Sequence, residues 1–175
     1  PPLTMSASQH VTPISYLLPM ASAQVKSCLL FAGLYLKGTT TITQPAICRD
    51  HTEIMLTAYQ AKLKTEHNQI SIVGSTPLHN PFSQPITIPA DFSSASFFIV
   101  LGLIHPKITI TLSKIGINPT RSKLLDVLIA MGADITLSNQ IMEIEPYADI
   151  TVRSSSLTNI TVDESLIPII IDEIP

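Results

Sequence analysis

The chain repeats itself with a period of about 70 residues, and this repeat restricts its possible folds more than any other feature. Short strings of similar residues recur in the same order in the two halves. They are Ala32-Gly33-Leu34 and Leu101-Gly102-Leu103, Thr41-Ile42-Thr43 and Thr109-Ile110-Thr111, Arg49 and Arg121, Leu56-Thr57-Ala58 and Leu128-Ile129-Ala130, and Asn68-Gln69-Ile70 and Asn139-Gln140-Ile141. Such a repeat predicts similar units that bury their apolar faces against one another.

Each unit is predicted to run helix, strand, helix, strand, strand. Apolar residues at helical spacing predict the helices, and alternating segments predict the strands. The helices are expected at residues 22–37, 50–61, 94–104 and 121–131, with extended segments leading into the units at residues 11–18 and 86–88. The paired strands after each second helix favour mixed sheets, within an α/β fold, over a doubly wound parallel sheet.

A segment rich in proline, serine and asparagine separates the two units. It covers residues 74–85 and predicts a linker. We therefore expect one unit in residues 1–84 and a second from residue 85 onward. A third unit is expected to begin near Ser165, where an apolar lead-in reaches a helix start at Asp172.

Composition excludes several classes of protein. With 45% hydrophobic and 13% charged residues, the chain can bury a core. The apolar helix candidate at residues 96–104 is closed by His105-Pro106 and is shorter than the roughly 20 residues of a membrane span, so no membrane partner is expected. A net charge of −3 argues against a nucleic-acid partner.

Helices that are apolar on nearly every side are expected to be buried inside a complete domain. The helical residues 28–36 are an example. Because a repeat unit cannot bury such faces alone, we expect exposed apolar faces on both halves of this chain.

Cys28 and Cys48 are the two cysteines of the chain. They provide neither a disulfide framework nor a metal-ligand spacing, so we expect a reducing cytoplasm and no metal. The chain begins with Pro1-Pro2 rather than methionine, and its last residues carry no polar tail. We therefore expect an internal segment of a longer protein.

The start of the first long helix is a candidate anion site. Ser22 is placed to cap the helix, and Gln24 adds an amide donor beside it. Free backbone amides at a helix N-terminus bind phosphate or carboxylate groups. The alternative is that Ser22 is an ordinary helix cap.

The most polar string of the chain is Cys48-Arg49-Asp50-His51-Thr52-Glu53. Arg49 ends a strand-to-helix loop, where binding residues are common. His51 and Glu53 point in different directions on a helix, which argues against a metal site. The structural alternative is that Asp50 caps the helix and Arg49 pairs with a surface carboxylate.

The second unit offers weaker candidates. The string from Asp91 to Ser96 is expected to cap and pack its helix, and Asn118-Pro119-Thr120-Arg121 predicts a turn with Thr120 as the cap. Arg121 could be structural or functional. Asp172 taken alone would be a helix cap.

Taken together and in order, these strings resemble the 5-enolpyruvylshikimate-3-phosphate (EPSP) synthase family. Nearly the whole chain takes part. The similar strings are Pro19-Met20-Ala21-Ser22-Ala23-Gln24-Val25-Lys26-Ser27, Arg49-Asp50-His51-Thr52-Glu53, Ser93-Ser94-Ala95-Ser96-Phe97-Phe98, Asn118-Pro119-Thr120-Arg121, Leu124-Leu125-Asp126-Val127-Leu128, Met131-Gly132-Ala133-Asp134, Ala148-Asp149-Ile150-Thr151-Val152 and Ile171-Asp172-Glu173-Ile174-Pro175.

The resemblance implies an inside-out α/β barrel fold, with two globular domains that each contain three helix-and-strand units. Residues 1–84 would be the last unit of the first domain, and residues 85–175 the first unit of the second domain with the start of its next. The implied enzyme is a cytoplasmic, monomeric transferase without a cofactor. It moves the enolpyruvyl group of phosphoenolpyruvate to the 5-hydroxyl of shikimate 3-phosphate.

The resemblance also implies roles for single residues. Ser22 and the amide of Ala23 would hold the phosphate of shikimate 3-phosphate, and Arg49 would line the same subsite. Gln24 would lie beneath the shikimate ring and reach toward phosphoenolpyruvate. Asp172 would accept the proton of the attacking 5-hydroxyl as general base.

Two residues depart from the family pattern, and several family motifs lie outside the chain. Cys48 stands where serine is usual, and a thiol is a poorer donor. Gln60 stands where glycine is usual, at the helix end that corresponds to Gly132 in the second unit. Because the family's N-terminal and late motifs are absent, we expect this chain alone to be inactive.

Two other functions are compatible with parts of this pattern. UDP-N-acetylglucosamine enolpyruvyl transferase shares the fold and the donor, but the surroundings of Gln24 and the Arg49–Glu53 string argue against it. A truncated, non-catalytic remnant would carry the same sequence.

Overall fold

The computed structural model of the chain describes residues 2–4, 6 and 10–174. Contacts divide the chain between Pro81 and Phe82 into two compact units. Each unit contains a layer of helices and one β-sheet, and each has its own apolar core.

The first unit contains two helices and a mixed four-stranded sheet. Its elements are β1 (Ser15–Leu17), α1 (Ala23–Tyr35), β2 (Thr39–Thr43), α2 (His51–Ala58), β3 (Leu63–Glu66) and β4 (Gln69–Val73). The strand order is β1-β2-β4-β3. β1 runs parallel to β2, and the other neighbours are antiparallel.

The second unit repeats this plan. Its elements are α3 (Phe92–Ile104), β5 (Thr109–Gly116), α4 (Lys123–Ala130), β6 (Asp134–Ile141), β7 (Tyr147–Arg153) and the short α5 (Ile167–Ile170). The order β5-β7-β6 matches β2-β4-β3, with antiparallel neighbours in both. A single parallel bridge from Ala90 to Ile115 takes the place of the β1–β2 pairing. The predicted repeat is confirmed. The sheet of the first unit is mixed, as predicted, whereas the three strands of the second sheet are antiparallel and only the isolated Ala90–Ile115 bridge is parallel to them among the described residues.

Several predicted boundaries are wrong by a few residues. α3 begins at Phe92 after the cap Asp91, whereas Ser94 was expected to start it. α4 begins at Lys123 after Ser122, and the predicted cap Thr120 instead donates its amide and its hydroxyl to Asn118 Oδ1. Asparagine side chains stabilise such turns, which delays the helix.

Two predicted lead-in segments do not form strands. Residues 86–88 form no strand, because the flanking Pro85 and Pro89 cannot donate ladder hydrogen bonds. The expected lead-in at residues 166–171 is helical instead, since α5 carries a proline at its start, where proline favours a helix. Asp172 consequently lies in the 3-10 turn Ile171–Glu173 that follows α5, and it does not start a new helix.

One glycine in each unit sets the distance between helix and sheet. A Cβ atom on Gly33 of α1 would lie 2.8 Å from Ile72 Cγ2, and one on Gly102 of α3 would lie 3.1 Å from Val152 Cγ1. The glycines that recur in the sequence are therefore the points where each first helix packs most closely on its sheet.

The outer faces of these helices are apolar and exposed. Tyr35 of α1 is 85% exposed and Phe97 of α3 is 76% exposed, while Leu30 and Ile99 on the opposite faces are fully buried. The expected exposed faces are thus present on both units. No helix within the described residues is long and apolar enough to cross a lipid bilayer.

Candidate functional site

The first turn of α1 has the geometry of an anion-binding helix start. Ser22 is the N-cap in an extended conformation, and its Oγ accepts a hydrogen bond from the Val25 amide at 3.3 Å. The Lys26 amide donates to the Ser22 carbonyl. Since an α-helix leaves its first amides without helical partners, those of Ala23 and Gln24 point out of the helix end.

Capping and anion binding are compatible at Ser22. The hydroxyl oxygen accepts from the helix, and its proton can still be donated outward. Ser22 and Ala23 are half-buried, whereas Gln24 is exposed. The first turn carries no acidic side chain, so its partial positive charge is not cancelled locally.

Arg49 lies in the coil between β2 and α2, directly before the helix. Its side chain is half-buried. Asp50 occupies the N-cap position of α2 without a capping hydrogen bond from its side chain. The structural alternative is thus met in part, since Asp50 is the N-cap residue and its carbonyl accepts from the Ile54 amide.

The Arg49 loop is attached to α1 through the buried side chain of Lys26. Lys26 Nζ lies 2.5 Å from Glu53 Oε1 of α2. It also donates to the Cys48 carbonyl at 3.4 Å and to Gln44 Oε1 at 3.3 Å. Cys48 Sγ donates to the same Gln44 oxygen at 3.2 Å, so the thiol holds the loop together where the family usually has serine.

The hydroxyls of Ser27 and Thr52 form a second connection between the two elements, with an oxygen–oxygen distance of 2.6 Å. Two successive residues of α1 are thus bonded to two successive residues of α2. The segments that carry Ser22, Gln24 and Arg49 belong to one bonded assembly.

Asp172 lies in the second unit, beside a cluster built around Arg121. Arg121 Nη1 is 3.3 Å from Asp172 Oδ2 and 3.0 Å from Glu173 Oε1. Arg121 Nη2 bonds to Ser93 Oγ, which also donates to Glu173 Oε1 at 2.5 Å. Arg121 therefore has a structural role: it attaches the turn that carries Asp172 to the start of α3.

The side chain of Asp172 remains about half exposed, while that of Glu173 is fully buried. The two adjacent carboxylates therefore differ in exposure. Glu173 Oε1 is bound by Arg121 and Ser93, and Asp172 Oδ2 is bound by Arg121.

Asp91 completes this cluster at the N-terminus of α3. Its Oδ2 accepts from the Ser94 amide at 2.7 Å and the Ser94 hydroxyl at 2.8 Å, and Arg121 lies 3.9 Å away. Burial acts to raise the pKa of Asp91, but the Ser94 hydrogen bonds and the charge of Arg121 outweigh it and hold the pKa below its ordinary value.

Sequence reasoning missed the buried role of Lys26, although a signal was present. Lys26, Leu30 and Gly33 follow helical spacing and are the buried residues of α1. A lysine on the apolar stripe of a helix requires a buried partner, and Glu53 is that partner. Within the described part of the chain, no three histidine, cysteine, aspartate or glutamate residues are grouped as metal ligands.

Comparisons with known proteins give one consistent family. The model of EPSP synthase (3-phosphoshikimate 1-carboxyvinyltransferase) matches residues 1–175. The 3-phosphoshikimate 1-carboxyvinyltransferase of Hydrogenovibrio crunogenus is 43% identical, covering 100% of this chain and 40% of that protein. The Synechocystis enzyme of the same name is 47% identical over 99% of this chain and 39% of its own length.

A solved structure agrees with these sequences. The EPSP synthase of Acinetobacter baumannii superposes with a TM-score of 0.85 at 44% identity, covering 99% of this chain and 39% of that one. The fold therefore defines a segment built from repeated helix-and-strand units. Its first long helix begins with the N-terminal geometry that favours anions. The chain belongs to the EPSP synthase family, and the predicted inside-out α/β fold class is confirmed.

Proposed function

We propose that the complete protein carrying this chain transfers the enolpyruvyl group of phosphoenolpyruvate to the 5-hydroxyl of shikimate 3-phosphate. The products are EPSP and inorganic phosphate. The family match over residues 1–175 carries this proposal. The chain spans about 40% of the length of the relatives it matches, so the activity belongs to the longer protein.

We assign the two units to different domains of that protein. Residues 1–84 would be the last unit of the first domain. Residues 85–175 would be the first unit of the second domain together with the start of its next unit. The matching strand orders identify the two units as copies of one repeat, and their assignment to different domains rests on the resemblance to the family. We expect the whole enzyme to be a cytoplasmic monomer that needs no metal or organic cofactor.

The phosphate of shikimate 3-phosphate would bind at the start of α1. The Ser22 hydroxyl and the Ala23 amide are donors at a helix N-terminus, which favours an anion. Arg49 would face the same phosphate from the adjoining loop and supply a full positive charge. Gln24 is exposed in the first turn, where its amide could reach the shikimate ring and phosphoenolpyruvate.

Asp172 would act as the general base. As the 5-hydroxyl oxygen bonds to C2 of phosphoenolpyruvate, its proton passes to the Asp172 carboxylate, and an acid of the complete protein outside this chain would add a proton to the methylene carbon. That group would then take one methyl proton back as phosphate leaves, which restores the double bond. Arg121 Nη1 lies 3.3 Å from Asp172 Oδ2 and would hold the carboxylate in place during the reaction.

Phosphate release by the complete enzyme tests this proposal. We expect release from phosphoenolpyruvate only when shikimate 3-phosphate is present, and none when UDP-N-acetylglucosamine replaces it. Turnover with the nucleotide sugar would assign the chain to the related transferase. A folded, full-length protein that is inactive with both acceptors would instead identify a non-catalytic remnant.

A further inference from the structure

Lys26 is charged although neither solvent exposure nor the helix that contains it calls for a charge at this position. Its side chain is 1% exposed, within α1 and four residues after Ser22. The ammonium group has three donors. Each finds an acceptor: Gln44 at the end of β2, Cys48 in the loop and Glu53 in α2.

These acceptors lie on both sides of Arg49. The Cys48 carbonyl belongs to the residue directly before it, and Glu53 follows one helical turn later. The backbone of Arg49 is therefore held between two attachment points on a single ammonium group. The backbone amide of Lys26 also donates to the Ser22 carbonyl, so the residue that carries this ammonium group is one turn from the helix start.

Stability alone is a poor explanation for this ion pair. Glu53 Oε2 is buried and has no hydrogen-bond partner among the described residues. Burying a charged pair is costly, and a well-packed apolar pair in its place is often as stable or more stable. A charged pair with one unsatisfied oxygen is better explained by the geometry that it imposes.

We propose that Lys26 is a positioning residue that fixes Arg49 relative to Ser22, and so sets the spacing of the phosphate subsite. This inference rests on the proposed function, because that function places Ser22 and Arg49 around one phosphate. Lys26 itself does not touch the substrate: its donors are all used within the protein.

The test uses the complete enzyme with an apolar replacement of the pair, Lys26→Met with Glu53→Leu. Arg49 then keeps its charge but loses its attachment points. The KM for shikimate 3-phosphate should rise at least about tenfold, since small displacements of a binding group have large effects. The kcat and the KM for phosphoenolpyruvate should change by less than about threefold, because a lost phosphate contact weakens ground state and transition state alike.

Two controls separate positioning from general damage. Lys64→Met removes the exposed ion pair with Glu66 in the same unit and should leave every constant unchanged. In an Arg49→Ala background, the apolar pair should raise the KM for shikimate 3-phosphate no further, because residues that act through one another are not additive.

If the Lys26→Met/Glu53→Leu variant does not fold, Glu53→Gln is measured instead, because it keeps the shape of the side chain. It should raise the KM for shikimate 3-phosphate by a smaller factor. A folded variant of either kind with the wild-type KM for shikimate 3-phosphate overturns the inference. An additive effect with Arg49→Ala overturns it as well. An inactive wild-type enzyme refutes the proposed function, whereas an active one with unaffected variants refutes only the role of Lys26.

Discussion

Single charged residues organise both units, and each does so through several bonds at once. In the first unit Lys26 binds two segments that flank Arg49. In the second, Arg121 binds Ser93 and both carboxylates of the final turn. Because each cation is shielded from water, its bonds are stronger than those of a surface ion pair. Removing either cation should therefore disturb a whole segment.

Asp172 is the proposed general base, so its replacement should separate catalysis from binding. Asp172→Asn keeps the size of the side chain and removes its ability to accept a proton. Turnover of the complete enzyme should fall by about 100- to 10,000-fold. Binding of shikimate 3-phosphate should stay within about tenfold, since its phosphate is assigned to Ser22 and Arg49.

Steady-state kinetics and equilibrium titration with shikimate 3-phosphate provide the two measurements. Asp126→Asn is the matched control, because Asp126 is an exposed aspartate of the same unit that forms an ion pair with the neighbouring Lys123. Near-normal turnover of Asp172→Asn would reduce this residue to a structural element of the turn.

Asp91 should make stability depend on pH. The folded protein holds its pKa below the ordinary value of 3.8, so the protonated form is the less stable one. Ionised Asp91 contributes fully to the free energy of unfolding above pH 3.8, and this contribution is lost as the pH falls through the pKa of Asp91 in the folded protein. Asp91→Asn keeps a capping oxygen and removes this titration.

Thermal unfolding of the complete enzyme at several pH values is the measurement. Wild type should unfold at a higher Tm than Asp91→Asn near pH 7, and the two should converge below pH 3.8. Asp91→Ala removes the cap as well and should cost about 1 kcal/mol at neutral pH. A constant difference between wild type and Asp91→Asn across this range would contradict the assignment.

At the scale of elements, the second helices of the two units end in the same way. Gln60 and Gly132 both adopt positive φ, at 63° and 96°. The following amides, of Ala61 and Ala133, bond five residues back to Leu56 and Leu128. This is the Schellman arrangement, in which a left-handed residue satisfies the last carbonyls of a helix.

Introducing glycine at residue 60 and removing it from residue 132 should therefore have opposite effects on stability. A side chain in the left-handed region costs roughly 1–2 kcal/mol, which the greater freedom of glycine in the unfolded chain partly offsets. Gln60→Gly should stabilise by about 0.5–1 kcal/mol, and Gly132→Ala should destabilise by about 1 kcal/mol. An added Cβ at residue 132 meets only the Ser156 carbonyl at 3.5 Å, so backbone strain alone is tested.

Denaturant unfolding of the complete enzyme measures both variants. The expected result is a higher midpoint for Gln60→Gly and a lower one for Gly132→Ala. If Gln60→Gly lowers the midpoint, then the Gln60 side chain contributes contacts that outweigh its backbone strain.

The sequence predicted elements well where a local pattern determines them. The order of helices and strands follows from apolar periodicity, and the recurring glycines mark close helix–sheet contacts. It predicted poorly where the outcome depends on distant partners. Lys26 appeared to be one of several polar residues of a first turn, because Glu53 is far away in sequence. The turn at Asp172 was predicted as a helix start, because the helical preference of the short segment before it is weak.

At the scale of the whole molecule, the two units leave the outer faces of their first helices uncovered. Phe31 and Tyr35 are exposed on α1, and Phe97, Phe98 and Ile104 are exposed on α3. Contiguous apolar surface of this kind marks a contact site or an aggregation site. Since the chain spans about 40% of its relatives, we expect further units of the complete enzyme to cover these faces.

This exposure predicts opposite effects of one substitution in two settings. In the 175-residue chain alone, Phe97→Ser should reduce binding of a hydrophobic dye and slow aggregation, because it removes an exposed aromatic ring from an apolar face. In the complete enzyme the same change should destabilise by about 3–5 kcal/mol, the usual cost of deleting a buried phenylalanine side chain. Dye fluorescence, light scattering and denaturant unfolding measure the two effects.

Met142→Ser is the control, because Met142 is 69% exposed but belongs to the β6–β7 turn rather than to a helix. It should leave the stability of the complete enzyme within about 0.5 kcal/mol of wild type, as surface substitutions usually do. Two results would contradict the expectation that other units cover α3. One is a chain that is monomeric, unfolds cooperatively and binds no dye by itself. The other is a complete enzyme as tolerant of Phe97→Ser as of Met142→Ser, because a face that stays in water contributes little to stability.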